Sequence, residues 1–540
     1  MSKGKGSINY EGSGASHSVV NSGVDPKRDT DYVFYELTRS ICPECRRVID
    51  GHILIRDNKV YLRKRCPEHG EFEGLVYGDA ELYTSSARFN KPGTIPVEFA
   101  TEVRKGCPHD CGLCPDHQQH ACLGIIEVNS ACDMDCPLCF AEAGPGFSLT
   151  LEEVEDILDY YIAAEGNPQV VQFSGGEPSI HPQIVAMMRA ARERGIPHVM
   201  LNTNGKRIAR DDGFVEELAE IQPAIYFQFD GFEEETYRTI RGEGDLLTTK
   251  VRALDRLAEA GCNVILVPAV EQGVNEHEVG RIVRFGLAHP AVRGINFQPA
   301  FHAGRHGRHN PRKRITNPDI IQLIASQTDG MFQQSDFVPV PCCFPTCNSV
   351  TYAYLDGENV TPLPRILNVE DYLDYITNRA TPDLGEELQK ALEGLWSSSA
   401  VMGSEKVAQE FSFSCSACGL PDGGLDVGEI SKFIFMIMLQ DFMDPWTFNQ
   451  KNVMKCCKEF LLPGGKQIPF CAYNTVGYRE QARAQLMAQE RDRVEARRAG
   501  KPYQVQPIEF HFGPSGEAVT GAGEELVQVA SDRESENHSR

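Results

Sequence analysis

The sequence predicts an α/β fold built on a partial (β/α)6 barrel, with a metal-binding ribbon before it and a cysteine-rich region after it. Between Leu123 and about Pro299, six short apolar runs alternate with helix-period segments, the pattern of βα units on a parallel sheet. The glycine-rich and cysteine-rich turns follow those runs directly, where a barrel of this kind carries its site. Nineteen cysteines in 540 residues gather in short groups instead of scattering.

Residues 1–30 are rich in Gly, Ser and Lys without periodicity and are expected to be disordered. Residues 31–122 form a cysteine-rich metal-binding region, 123–335 the barrel and 336–480 a second cysteine-rich domain. Residues 481–540 read as a charged helix and a disordered polar tail. The predicted barrel strands are 124–128, 169–173, 198–202, 224–229, 263–270 and 294–298. Helices are expected between them, the first opening on Thr150 and Glu153 at capping-box spacing and the others at 181–194, 213–221, 249–260 and 276–288.

A net charge of −23 argues against nucleic acid as a partner, because phosphate binding needs a basic surface. No window approaches the roughly 20 apolar residues of a membrane helix, and the first residues lack the apolar stretch of a signal peptide. The expected location is therefore the cytoplasm. That compartment disfavours disulfides, so clustered cysteines point to metal.

Cys132, Cys136 and Cys139 place three thiolates in one short loop after the first strand, a spacing that suits one face of an iron–sulfur cube. Three ligands to four irons leave one iron open, as catalytic metal sites do. A structural zinc knuckle is the alternative. Gly175-Gly176-Glu177-Pro178 follows the second strand, Asn202 to Gly205 closes the third, and Asp230 follows the fourth.

Through the C-x3-C-x2-C loop, the GGEP turn and Thr203-Asn204-Gly205, the chain resembles the radical S-adenosylmethionine (SAM) superfamily. The resemblance implies a 4Fe-4S cluster on the triad, SAM chelated at the open iron, and hydrogen abstraction from an unactivated carbon. It also implies cofactor contacts from Gly175, Gly176, Glu177, Pro178, Asn202, Asn204 and Asp230. Leu138 departs from the aromatic residue often found before the third cysteine, which leaves the adenine packing open. A second loop, Cys107, Cys111 and Cys114, has the same spacing, but no barrel strand precedes it. With Cys122 as a fourth thiol it reads as a closed site.

Cys42, Cys45, Cys66 and His69 form a C-x2-C and C-x2-H pair around an alternating hairpin segment, the pattern of a zinc ribbon or of a mononuclear iron site. The late cysteines Cys342, Cys343, Cys347, Cys415, Cys418, Cys456, Cys457 and Cys471 suffice for two auxiliary 4Fe-4S clusters, with pairing left open. Cys262 stands alone and reads as a core residue.

Asp441-Phe-Met-Asp-Pro, Lys455-Cys456-Cys457 and Ile468-Pro-Phe-Cys471-Ala-Tyr-Asn474 carry a closer resemblance to the tetraether lipid synthase group. It implies coupling of membrane-lipid alkyl chains, an electron donor such as ferredoxin or flavodoxin, and peripheral contact with a membrane. The run 433–439 reads either as an apolar lining or as ordinary core, and the basic run from His302 to Arg314 as a head-group site or a solvated loop. A radical SAM enzyme that modifies a peptide or builds a cofactor is the alternative function. A non-catalytic iron–sulfur electron-transfer or sensor protein is the second.

Overall fold

The computed structural model describes residues 30–306, 310–357, 359–365 and 434–513. Val33–Ile41 (β1), Val48–Arg56 (β2), Lys59–Cys66 (β3) and Gly70–Tyr77 (β4) form an antiparallel meander. Asp57 and Asn58 both take positive φ, 50° and 54°, making the tight two-residue turn that joins β2 to β3. A short helix, Ala80–Ser86 (α1), follows, capped by the Asp79 carboxylate. The ribbon is seated on the rest of the chain through Lys64, whose buried Nζ donates to the Pro445 carbonyl (2.5 Å) and to Ser40 Oγ (3.0 Å). Phe72 packs edge-on against Trp446 beside it.

The six predicted runs appear as Leu123–Asn129 (β5), Val170–Gly175 (β6), His198–Thr203 (β7), Ala224–Gln228 (β8), Val264–Val267 (β9) with Ala269–Val270 (β10), and Val292–Pro299 (β11). Pro268, which has no N–H to donate, interrupts the fifth run. Apart from β10, which pairs only with β11, these strands are parallel neighbours in chain order. Between them lie Leu151–Glu165 (α2), Ile184–Glu193 (α3), Lys206–Arg210 (α4), Asp212–Ile221 (α5), Glu234–Arg241 (α6), Leu247–Glu259 (α7) and Val279–Ala288 (α8). The Thr150–Glu153 capping box is present, with both reciprocal hydrogen bonds.

The sheet does not stop at the sixth run. After the helix Asn317–Gln327 (α9) come Val338–Pro339 (β12), Asn348–Asp356 (β13), Asn359–Pro362 (β14) and Ile434–Gln440 (β15). β15 lies parallel beside β11, and β13 lies antiparallel on its outer side. The apolar run 433–439 is thus mainly a sheet strand. All seven residues of β15 are buried, and each large apolar side chain so placed contributes roughly 1.5–3 kcal/mol.

At the opposite end, after Gln450–Met454 (α10), Lys458–Leu461 (β16) adds parallel to β5, and Gln467–Pro469 (β17) pairs antiparallel with β16. The described parts of residues 336–480 therefore extend both ends of the barrel sheet and carry Cys342, Cys343, Cys347, Cys456, Cys457 and Cys471 back to it.

Phe470–Thr475 (α11) and the charged helix Tyr478–Arg498 (α12) close this end. Residues 501–513, read from composition as part of a tail, pack on α12. Ile508 and Phe512 are buried, and Phe510 and Phe512 flank the Tyr478 ring. Residues 1–29 and 514–540 lie outside the described residues. Among the described residues no helix is long and apolar enough to cross a membrane.

Candidate active site and cysteine-lined cavities

A chamber of about 1280 Å3, counted with its open mouth, lies at the C-terminal ends of the barrel strands. Cys132, Cys136 and Cys139 line it, and among the described residues no other cysteine does. Their loop packs through Met134 and Cys136 on Tyr237 and Leu246. Burial pushes the Cys132 thiol up to about 12 and raises the Cys136 thiol as well. Thiolates at these positions therefore need a cation at the sulfurs.

Two turns brace this loop. Gly175 stands at φ +133°, and a Cβ there would lie 2.2 Å from the Asn129 carbonyl oxygen. A Cβ on Gly176 would lie 2.1 Å from the Ala131 carbonyl oxygen. Only glycines allow this approach of β6 to the triad loop, and the Gly176 and Glu177 N–H groups donate to the Asn129 and Ala131 carbonyls (2.8 Å each). The buried Glu177 carboxylate accepts from Ser179 N–H (3.0 Å), Thr203 Oγ1 (2.7 Å) and Asn204 N–H (2.7 Å). It ties the second strand end to the third.

Asn204 Nδ2 donates to Asp133 Oδ1 (2.7 Å), and Asn202 Nδ2 donates to Ser174 Oγ (3.1 Å). Gly175, Gly176, Glu177, Asn202 and Asn204 thus share the chamber with the triad. Pro178 starts a single turn, Pro178–Ile180, outside its wall.

Asp230 also stands off the wall. Fully buried, it holds Arg241 by two 2.7 Å bonds and accepts from Ala269 N–H (3.0 Å). The chamber side of this pair is Arg241, which no sequence motif flagged. A helix end sealed by Gly242 at φ +81°, one helix after the Asp230-Gly231 turn that follows β8, is the signal that could have found it.

Lys250 on α7 is likewise unheralded. Fully buried, its Nζ donates to the Asn204 carbonyl (2.6 Å) and Gln228 Oε1 (2.7 Å), and burial lowers it to about 7. The unfolded chain, with lysine near 10.5, then binds the extra proton between pH 7 and 10.5. Folding stability is expected to rise across that window, by at most about 1.4 kcal/mol per pH unit from this group. Lys250→Met should flatten the rise in denaturant titrations, and an unchanged slope would contradict the assignment.

In the ribbon, Cys42 Sγ lies 3.7 Å and Cys66 Sγ 3.4 Å from His69 Nδ1, and Cys45 and Cys66 Sγ are 3.9 Å apart. Ligands about 2.3 Å from one tetrahedral zinc stand roughly 3.8 Å from each other, so four ligand atoms are already gathered for a single ion. The barrel triad is not among the described groups whose ligand atoms all lie within 4.8 Å of one another. This more open spacing suits a cube.

Cys107, Cys111 and Cys114 line a separate cavity with His117, Val453, Met454 and Pro469. The expected fourth member, Cys122, is elsewhere, within 4.8 Å of Cys342 and Cys457. Strand register is the cause. Leu123 pairs with Lys458 across β5 and β16, so the residues just before them meet.

A further void of about 370 Å3 is lined by Cys343, Cys347, Cys456, Cys457 and Cys471. The late cysteines therefore divide between two places, with the adjacent residues Cys456 and Cys457 on the same void but Cys457 also meeting Cys122. Cys415 and Cys418 lie outside the described residues. Cys262 is buried in the barrel core.

Residues 307–309 of the basic run lie outside the described residues, and three arginines among the rest serve the scaffold. Arg314 is buried against Asp444 (2.7 Å) and Asp441 (3.4 Å), Arg312 pairs with Glu73 (3.1 Å), and Arg305 bonds Asp135 and the Ala143 carbonyl. The carboxylates that answer these cations lie far away in sequence, which is why the run read as a possible head-group site.

A barrel-end chamber with three thiols, a double-glycine turn and an asparagine turn is the arrangement expected of a radical SAM site, and the radical SAM superfamily profile matches residues 126–286. The chain belongs to the radical SAM superfamily. It is similar over 479 residues, at 33% identity, to 7,8-dihydro-6-hydroxymethylpterin dimethyltransferase of Methanocaldococcus jannaschii, covering 82% of this chain and 94% of that protein. It is 30% identical over 178 residues to GTP 3',8-cyclase of Chlorobaculum tepidum, covering 32% of this chain and 53% of that one. The tungsten-containing aldehyde ferredoxin oxidoreductase cofactor-modifying protein of Pyrococcus furiosus is 25% identical over 325 residues, covering 55% of this chain and 87% of that one. Residues 34–78 match the HMPTM N-terminal zinc ribbon domain. The cofactors are accordingly a 4Fe-4S cluster, SAM and zinc, and the open triad and the gathered Cys3His site fit them.

Proposed function

We propose that the protein builds or modifies a small heteroaromatic compound of the pterin class by radical SAM chemistry. The polar floor of the chamber carries this reading. Gln172, Asn202, Tyr226, Gln228, Gln298 and Gln440 present amides and a hydroxyl to one cavity. A pterin edge alternates donors and acceptors that such groups match, and its flat face suits the Phe rings opposite.

The 33% identity to a pterin dimethyltransferase over most of both chains supports the same substrate class. SAM at the open iron supplies, on reduction, the radical that removes hydrogen from the substrate. The chain's own residues hold the triad loop, orient the substrate and exclude water through Phe140, Phe442, Phe460 and Phe470.

A second reading, coupling of lipid alkyl chains, draws on that aromatic wall, because Phe442 and Phe470 also border the thiol-lined void. The relatives' names, a pterin enzyme, a GTP cyclase and a cofactor-modifying protein, favour the first. The test is anaerobic incubation of reconstituted protein with SAM and dithionite, with either 7,8-dihydro-6-hydroxymethylpterin or a membrane-lipid extract, read by mass spectrometry. Substrate-dependent 5'-deoxyadenosine and a mass change in the pterin are expected. Turnover with lipid alone would replace the first reading by the second.

A further inference from the structure

The end of α6 sits directly on the triad loop. Leu138 N–H donates to the Ile240 carbonyl (3.4 Å), and Tyr237 packs against Cys136. A Cβ on Gly242 would come within 3.1 Å of the Asp135 carbonyl oxygen and 3.4 Å of Pro137 Cδ. The residue between these contacts is Arg241, on the chamber wall with Cys136 and Cys139 and only 13% exposed. Its Nε and Nη2 are committed to Asp230, which fixes the guanidinium plane and leaves Nη1 as the nitrogen that Asp230 does not engage. Asp230 itself is fully buried and stands behind the arginine, away from the chamber.

A guanidinium stays charged in any accessible environment, and in a water-poor site its field acts strongly over a few ångströms. One-electron reduction of a cluster adds negative charge at the sulfurs and irons, and nearby charge is one of the levers that set its potential. The cation is on the cluster side and the carboxylate is behind it, so the nearer, positive member dominates.

We propose that Arg241, clamped by Asp230, is a positioning residue that eases one-electron reduction of the cluster held by Cys132, Cys136 and Cys139. The inference rests on assigning the cluster to that triad. It predicts opposite effects for the two members of one ion pair. Loss of the arginine charge makes reduction harder, and loss of the aspartate charge makes it easier. A merely structural role would move both variants the same way or neither.

The experiment uses the full chain reconstituted with iron and sulfide, without SAM or substrate. The midpoint potential is read by electron paramagnetic resonance during a titration with dithionite as the electron source. The signal to follow is the one absent from Cys136→Ala. Should that variant retain every signal, the triad assignment fails, whatever Arg241 does. Arg241→Gln is expected to shift the potential to more negative values, Arg241→Lys to keep most of the wild-type value, and Asp230→Asn to shift it to more positive values. An unchanged potential in Arg241→Gln, or shifts of the same sign in Arg241→Gln and Asp230→Asn, overturns the proposal. If Arg241→Gln does not hold its cluster, the sign of the Asp230→Asn shift decides alone, a negative shift being the overturning result.

Discussion

Replacing Cys132, Cys136 or Cys139 by alanine is expected to reduce SAM cleavage to background, measured as 5'-deoxyadenosine formed with dithionite, while most other iron stays bound. The effect would be total because each thiol is one of only three on the chamber wall among the described residues, with no further cysteine there to replace it. The control is unusually direct, since Cys107, Cys111 and Cys114 repeat the same spacing 25 residues upstream. They line a different cavity, beside Val453 and Pro469, and neither the GGEP turn nor Asn204 borders it. Alanine at those positions should leave substrate-uncoupled SAM cleavage detectable. Retained cleavage in all three triad variants, or its loss only in the upstream ones, would reverse the assignment of the two loops.

The sequence distinguishes these loops on local grounds, and the structure lines different cavities with them. A strand must precede the triad, and one helix and one strand must fit between Cys139 and Gly175, both of which are readable from hydrophobic period. The six barrel strands and the Thr150 cap were legible for the same reason. What could not be read depends on neighbours far apart in the chain. An apolar run such as 434–440 does not announce whether it lines a chamber or adds to a sheet. Its place beside β11 follows only from the return of the chain.

Cys122 was assigned to its sequence neighbours, whereas β5–β16 register delivers it to Cys457. Asp230 was expected to contact the cofactor on its position after the fourth strand. Its role, holding Arg241, was hidden because the partner lies one helix later, outside any motif. The basic run was open between two readings for the same reason, since Asp441 and Asp444, which neutralise Arg314, come some 130 residues on.

The second large effect is expected at the thiol-lined void. Cys347, Cys456 and Cys471 face it together with Cys343 and Cys457, and donors are already in place around the sulfurs. Asn348 Nδ2 reaches Cys343 Sγ at 2.8 Å, Met443 N–H reaches Cys471 Sγ at 3.4 Å, and Asn452 Nδ2 lies 3.7 Å from Cys347 Sγ. Lys458, buried on the same wall, adds a cation that would offset thiolate charge. Hydrogen bonds to sulfur and local charge are the means by which proteins hold and tune clusters, so the void reads as an auxiliary-cluster site.

Phe442 and Phe470 border both this void and the barrel-end chamber, so a cluster held by these thiols would be separated from that chamber by the aromatic pair. Iron analysis of reconstituted protein should then approach about eight atoms for the two cubes, at the triad and in this void, with the ribbon zinc additional. Cys347→Ala or Cys471→Ala is expected to stop product formation while SAM cleavage continues. The two steps separate because neither residue touches the triad chamber. A folded, fully active preparation holding only about four irons, the content of a single cube, would remove the auxiliary site altogether.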